Sequence, residues 1–172
     1  MYSALRHIPS IAWKGKPIQL TFFLTRRCNS KCPFCFYLKS SSGDVRKDVE
    51  LSLDEIKKIS RSLGNLLWVA FSGGEIYLRD DLVEISRVFH DTNRPAIMLF
   101  PTNGMLPGGI REKTLQILEG CRNSVIAVKL SVDGVGMRMM QCAIRRAALS
   151  GPWRRTACLN RFLRSIPISS LA

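Results

Sequence analysis

No stretch of this chain reaches the ~18 consecutive apolar residues that a membrane-spanning helix needs, so no such helix is expected. Residues 1–17 carry Arg6, Lys14 and Lys16 but no continuous apolar core, which argues against a signal peptide. A reducing, cytoplasmic setting is therefore expected, in which the six cysteines stay thiols rather than form disulfides. Internal repeats and low-complexity tracts are lacking. So are Lys, Asp and Glu in the last 36 residues, Met137 to Ala172, which hold seven arginines. That segment carries more than half of the net charge of +13, leaving 19 basic and 13 acidic residues in 1–136. A modestly basic domain of mixed sign is not the footprint of a nucleic-acid binder, and neither nucleic acid nor a membrane is expected as a partner. The 46% hydrophobic content and mean hydropathy of +0.04 fit one globular domain with a sizeable core.

One further absence is local. Cys28, Cys32 and Cys35 lie in a single short loop, Cys-Asn-Ser-Lys-Cys-Pro-Phe-Cys, and no fourth cysteine joins them. Thiolates are soft metal ligands, and three on so short a loop can converge on one centre. A closed structural zinc site wants four ligands, whereas three leave a position open for chemistry. An iron–sulfur cube held by three thiolates keeps one iron free in the same way. The competing reading is a zinc knuckle completed by a distant His90 or Cys121. Arg26 and Arg27 precede the loop, and nearby cations favour thiolates.

Around the loop the chain alternates. Residues 1–17, broken by Pro9, Gly15 and Pro17, form a lead-in. Ile18–Thr25 is rich in β-branched and aromatic types and reads as a strand feeding the cysteines. Ser40–Gly43 is a flexible connector. Ser52 and Glu55 make a capping box that opens a helix carrying Leu53, Ile56, Ile59 and Leu63 at helical spacing and stopped by Gly64. Leu66–Phe71 is a continuous apolar run of strand length, as in a strand buried on both faces, and it runs into Ser72-Gly73-Gly74-Glu75. Asp80 or Asp81 caps a second helix with Leu82, Ile85, Val88 and Phe89 inward. Ala96–Phe100 is a third strand ending in Pro101-Thr102-Asn103-Gly104. Residues 106–109 read as a loop and 111–119 as a third helix with Leu115 and Leu118 inward. Val125–Val132 is a fourth strand ending in Asp133-Gly134. This order predicts an α/β fold with a parallel sheet and right-handed crossovers. Every polar or glycine-rich motif then falls at the C-terminal end of a strand, where such sheets and barrels bind ligands.

Each motif also has a plain reading. Gly73-Gly74-Glu75 serves as a βα turn, with glycines that let backbones approach closely. Thr102-Asn103-Gly104 serves as a turn tolerant of positive φ, and Asp133 as a cap or turn residue. Phe34, Phe36 and Tyr37 could simply shield a cluster from water. Cys121 reads as an inert buried thiol and His90 as a helix-terminal surface residue.

Taken together and in this order, C-x3-C-x2-C, Gly-Gly-Glu, Thr-Asn-Gly and Ser131-x-Asp133-Gly134 resemble the signature of the radical S-adenosylmethionine (SAM) enzymes. The resemblance covers roughly residues 18–136 and is close to the branch with peptide-modifying maturases and molybdenum-cofactor synthesis enzymes. It implies an incomplete parallel (β/α) partial barrel, of which four strands are legible. It implies a [4Fe–4S] cluster on Cys28, Cys32 and Cys35, whose free iron chelates SAM. It implies SAM contacts from Gly73, Gly74, Glu75, Asn103 and Ser131, and adenine packing near Phe34. The activity implied is reductive cleavage of SAM to methionine and a 5′-deoxyadenosyl radical, which abstracts hydrogen from a peptide or small-metabolite substrate. The electron donor implied is a flavodoxin or ferredoxin. The alternative, from another class, is a zinc- or nucleic-acid-binding module built on the cysteine loop and basic tail.

After Gly136 the resemblance stops. Residues 137–172 read either as a basic interaction tail or as an out-of-frame segment. A one-base shift through Met137–Ala143, with permitted codons, yields Asp-Ala-His-Asp-Ala-(Val or Met)-Arg, which is similar to the D-x-H-D-x-x-R-like continuation of the family. With four strands, one sheet edge would be uncovered, and weak activity of the chain alone is expected.

Overall fold

The computed structural model describes residues 1–9, 16–39 and 50–131. Four strands, β1 (Gln19–Thr25), β2 (Trp68–Gly73), β3 (Ile97–Thr102) and β4 (Val125–Leu130), form one sheet in the order β1-β2-β3-β4, and every neighbouring pair is parallel. Three helices make the crossovers: α1 (Leu53–Leu63), α2 (Leu82–Asn93) and α3 (Pro107–Gly120). A sheet whose spatial order repeats its chain order is wound in one direction, as in a (β/α) barrel. Doubly wound sheets instead reverse direction at a switch point. α1 packs on α2 and α2 on α3, so the helices form one layer.

The sequence explains these elements. Ser52 caps α1 reciprocally: its hydroxyl accepts from the Glu55 N–H at 3.3 Å, and the Glu55 carboxylate accepts from the Ser52 N–H at 2.8 Å. Val69, Ala70 and Phe71 in β2 are all buried, as a central strand covered on both faces requires. The core lies between sheet and helices, where Phe71 packs against Phe89 and Phe100 with ring centroids 5.7 and 5.1 Å apart. Asn93, at the end of α2, ties that helix to the end of α1 and the segment leading into β2. Its Nδ2 donates to the carbonyls of Ser60 and Gly64 at 2.8 and 2.6 Å, and its own carbonyl accepts from the Leu66 N–H.

Three local expectations change. α3 begins at Pro107, so 106–109 is not a loop. Proline suits the first helical position because its missing N–H has no partner there anyway, and Gly108 and Gly109 stand in open space. Its fully buried residues are Ile110 and Ile117, while Leu115 and Leu118 are only half-buried. Asp81 stands at the cap position of α2 without capping, because its carboxylate is taken by Arg79. His90 does end a helix, but it is buried, with Nδ1 2.7 Å from Asp91 Oδ1 and its ring against Tyr2. Among the described residues, no helix is long and apolar enough to cross a membrane.

Candidate functional site

The parallel register brings the C-terminal ends of all four strands to one edge, and the cysteine loop leaves β1 there. The loop is laced to the end of β2 by backbone hydrogen bonds, Gly74 N–H to the Thr25 carbonyl at 2.8 Å and Glu75 N–H to the Arg27 carbonyl at 2.9 Å. These bonds account for the two glycines. Gly73 has φ +124°, and a Cβ there would strike the Thr25 carbonyl oxygen. A Cβ on Gly74 would strike the Arg27 carbonyl oxygen. Only glycine lets the two backbones come this close.

Glu75 is buried at 1% exposure, and its carboxylate faces inward. It accepts from the Thr102 hydroxyl at 3.0 Å, the Asn103 N–H at 2.8 Å and the Tyr77 N–H at 3.2 Å. One side chain thus joins the end of β2 to the end of β3. Burial pushes the Glu75 carboxyl up from its ordinary range, and these three donors pull it back in part.

The three cysteines are half-buried free thiols. Cys35 N–H donates to the Cys32 carbonyl at 3.1 Å, which folds the second half of the loop into a tight turn. Ser30 sits between them, buried at 2% exposure. Its N–H donates to Cys28 Sγ at 3.4 Å, and its hydroxyl lies 3.2 Å from Cys32 Sγ. Asn103 reaches across from the end of β3. Its Nδ2 donates to Asn29 Oδ1 at 2.7 Å and lies 3.9 Å from Cys28 Sγ. Its Oδ1 accepts from the Met105 N–H at 2.9 Å, which fixes which end of the amide faces the sulfur. Burial raises the Cys28 thiol, helped by Glu75 and the other two cysteines, against the lowering effect of the Ser30 N–H. The flanking arginines do not offset this. Arg26 is exposed, and the Arg27 guanidinium is held 3.0 Å from Glu50.

Glu50 and Arg79 complete the frame. Glu50 accepts from Arg27 and from the Thr25 hydroxyl. Arg79, 4% exposed, donates to the carbonyls of Leu24 and Leu51 at 2.8 and 2.5 Å and pairs with Asp81 at 2.7 Å. Lys113 of α3 donates to the carbonyls of Tyr77 and Arg79 at 3.0 and 2.6 Å. The turn after Glu75 is therefore held from both sides. Sequence reasoning missed Ser30, Glu50 and Arg79. Nothing in a lone Glu or Arg marks it for such pairing, since partners lie up to 55 residues away, and a Ser two residues from each of two cysteines reads equally as a loop residue.

The remaining expected residues are more peripheral. Phe34 is 53% exposed at the rim of the loop. Ser131 is exposed just past β4, where its N–H donates to the Thr102 carbonyl at 2.9 Å. Cys121 is fully buried at the end of α3, with its thiol pushed up to about 11 by burial. Asp133, Gly134, Cys142, Cys158 and residues 137–172 lie outside the described residues, as does the Ser40–Gly43 connector.

The donor set can be tested against a metal. Among the described residues, no three His, Cys, Asp or Glu side chains converge as tightly as a single metal ion requires. A multi-iron cube, which spreads its thiolates over several metal atoms, does not ask for that convergence. Three reduced thiols on one loop, with two polar hydrogens aimed at Cys28 Sγ and a hydroxyl beside Cys32 Sγ, fit such a cube.

A one-way wound parallel sheet with a three-cysteine loop and a buried glutamate at its ligand-binding end defines a class of α/β cofactor proteins. The family comparison names it: the radical SAM superfamily model matches residues 22–169, and the chain belongs to that superfamily. Members of the superfamily bind a [4Fe–4S] cluster and SAM. The chain is 33% identical over 122 residues to the antilisterial bacteriocin subtilosin biosynthesis protein AlbA of Bacillus subtilis, covering 69% of this chain and 25% of that protein. It is 33% identical over 131 residues to the pre-heme d1 synthase of Dinoroseobacter shibae, covering 74% and 30%. The fold matches the structure of Streptococcus suis SuiB bound to precursor peptide SuiA with a TM-score of 0.60 and 18% identity, over 94% of this chain and 34% of that one. The chain thus spans about a quarter to a third of the length of these proteins.

Proposed function

We propose that this chain is the cluster- and SAM-binding part of a radical SAM enzyme that abstracts hydrogen from a peptide. The observation that carries the reading is the cysteine loop itself, held in place by the Gly74 and Glu75 backbone and by Asn103. Cys28, Cys32 and Cys35 would ligate the cluster. Gly73, Gly74, Glu75, Asn103, Ser131 and Phe34 would form the SAM side of the site. When bound, the cluster supplies one electron for cleavage of SAM to methionine and a 5′-deoxyadenosyl radical. The chain's own residues do the positioning. Gly73 and Gly74 let the chain after β2 pack directly on the Thr25 and Arg27 backbone, which holds the cysteine loop against that strand end. Glu75 fixes the Asn103 backbone, and Phe34 and Ser131, both exposed, remain accessible to a nucleoside.

A peptide substrate is favoured by two of the similar proteins, one named for bacteriocin biosynthesis and one crystallised with its precursor peptide. The electron would come from a flavodoxin or ferredoxin, and the setting would be the cytoplasm. The test is anaerobic reconstitution of the full chain with iron and sulfide. About four irons and four sulfides per chain and 5′-deoxyadenosine formation from SAM under a strong reductant are expected. A colourless protein holding one zinc would overturn the reading in favour of a zinc module.

A further inference from the structure

We propose that Ser30 and Asn103 act as hydrogen-bond donors to the ligand sulfurs of Cys32 and Cys28, and so raise the reduction potential of the cluster. This rests on the reading of the three cysteines as cluster ligands. The Ser30 hydroxyl and Cys32 Sγ are 3.2 Å apart, and in a thiol either could donate. A cysteine bound to iron has lost its proton, so the hydroxyl becomes the donor. Ser30 is 2% exposed, so little water competes for that hydrogen. Asn103 aims its Nδ2 at Cys28 Sγ because Met105 N–H can only donate and therefore claims Oδ1. Cys28 Sγ also receives the Ser30 N–H at 3.4 Å.

Reduction adds one electron and moves no proton, which makes the cluster and its sulfurs more negative. A fixed N–H or O–H dipole pointed at a sulfur stabilises the reduced form more than the oxidised one, so potential rises with the number of such bonds. Ser30 is well suited to this role. It lies between two ligands in sequence and contacts both sulfurs, one through its backbone and one through its side chain. Its effect does not need the substrate or SAM. Both residues are positioning residues here, acting on the cluster through its ligands.

The test uses the full chain, reconstituted anaerobically and reduced stepwise with dithionite and mediators while the reduced cluster is followed by electron paramagnetic resonance. Ser30→Ala is expected to keep the parental iron and sulfide content and shift the midpoint to more negative potential, with Ser30→Thr restoring it. Asn103→Leu is expected to shift it in the same direction by a smaller amount. Asn29→Ala cuts the loop tie to Asn103 but leaves the donor to sulfur in place, and its midpoint should stay at the parental value. A Ser30→Ala midpoint equal to the parent's would overturn the inference, as would an Asn29→Ala shift as large as that of Ser30→Ala. If Ser30→Ala assembled no cluster, electron–nuclear double resonance of the parent decides. An exchangeable proton coupled to the cluster and lost in D2O supports the donor, and its absence overturns it. A parent that binds zinc and no iron sinks the underlying site assignment instead, a result distinct from an unshifted midpoint.

Discussion

Replacing Glu75 with alanine tests whether the carboxylate is the internal tie that its geometry describes. The change leaves the Tyr77 N–H, the Asn103 N–H and the Thr102 hydroxyl without their acceptor, at a position 1% exposed. An orphaned buried donor costs roughly 1–3 kcal/mol, and water entering the vacated space recovers part of that, so the loss should be about 3–5 kcal/mol. That is a large share of the ~5–15 kcal/mol that stabilises a typical domain. Glu75→Gln keeps one acceptor oxygen but turns an NH2 toward a donor, and should cost about 1.5–3 kcal/mol. The pH dependence gives a second readout of the same carboxyl. The folded-state Glu75 carboxyl is raised above its ordinary value of 4.5, so the folded chain holds more protons than the unfolded one just above that pH. Its contribution therefore favours the fold at low pH and is lost as pH rises through the raised value. Glu75→Gln should remove that slope. The assay is urea unfolding of the metal-free chain under reductant, followed by circular dichroism at several pH values. A Glu75→Ala chain within about 0.5 kcal/mol of the parent would refute the reasoning, because the three donors would then have other partners.

Four further outcomes are expected. Alanine at Cys28, Cys32 or Cys35 should abolish iron uptake, whereas Cys121→Ala should keep it, as measured by iron and sulfide analysis after reconstitution. In the metal-free chain, Cys121, fully buried and raised to about 11, should alkylate with iodoacetamide at pH 8 far more slowly than the three half-buried loop cysteines, by peptide mass mapping. Gly74→Ala should destabilise the chain by about 2 kcal/mol or more and lower cluster occupancy, because its Cβ would displace the Arg27 carbonyl beside Cys28; a variant with normal iron content and stability would count against the close approach. Arg79→Lys should lose about 2–4 kcal/mol despite keeping the charge, since a single ammonium cannot reach Leu24, Leu51 and Asp81 at once; parental unfolding would show the fork is dispensable.

Much of this molecule was legible because its signals are local. Strand and helix alternation follows from hydrophobic period and punctuation within windows of a dozen residues. The capping box at Ser52 and the spacing of Cys28, Cys32 and Cys35 are read from neighbours in the chain. The parallel sheet, the three-thiol loop and the placement of the Gly-Gly-Glu and Thr-Asn-Gly motifs at strand ends all followed from such patterns. The start of α3 did not, because Pro107, Gly108 and Gly109 carry the composition of a loop while occupying a first helical turn, where a missing N–H and small side chains cost little. His90 looked like a surface residue because burial depends on what packs over a helix end, here Tyr2 from the other end of the chain.

Only the tertiary structure decided what the site's polar groups do. Glu75 could have faced a ligand or its own fold; the pairing of Gly73 with Thr25 and the closeness of β3 turn it toward Thr102 and Asn103. The glycines before it answer first to a backbone crossing that joins residues nearly fifty apart. Glu50 and Arg79 acquire meaning from partners that the fold brings together from distant parts of the chain, which no single residue type encodes. A parallel sheet gathers the ends of distant strands at one edge. The kinds of groups available there are written in the chain, and which of them touch is set by how the strands align.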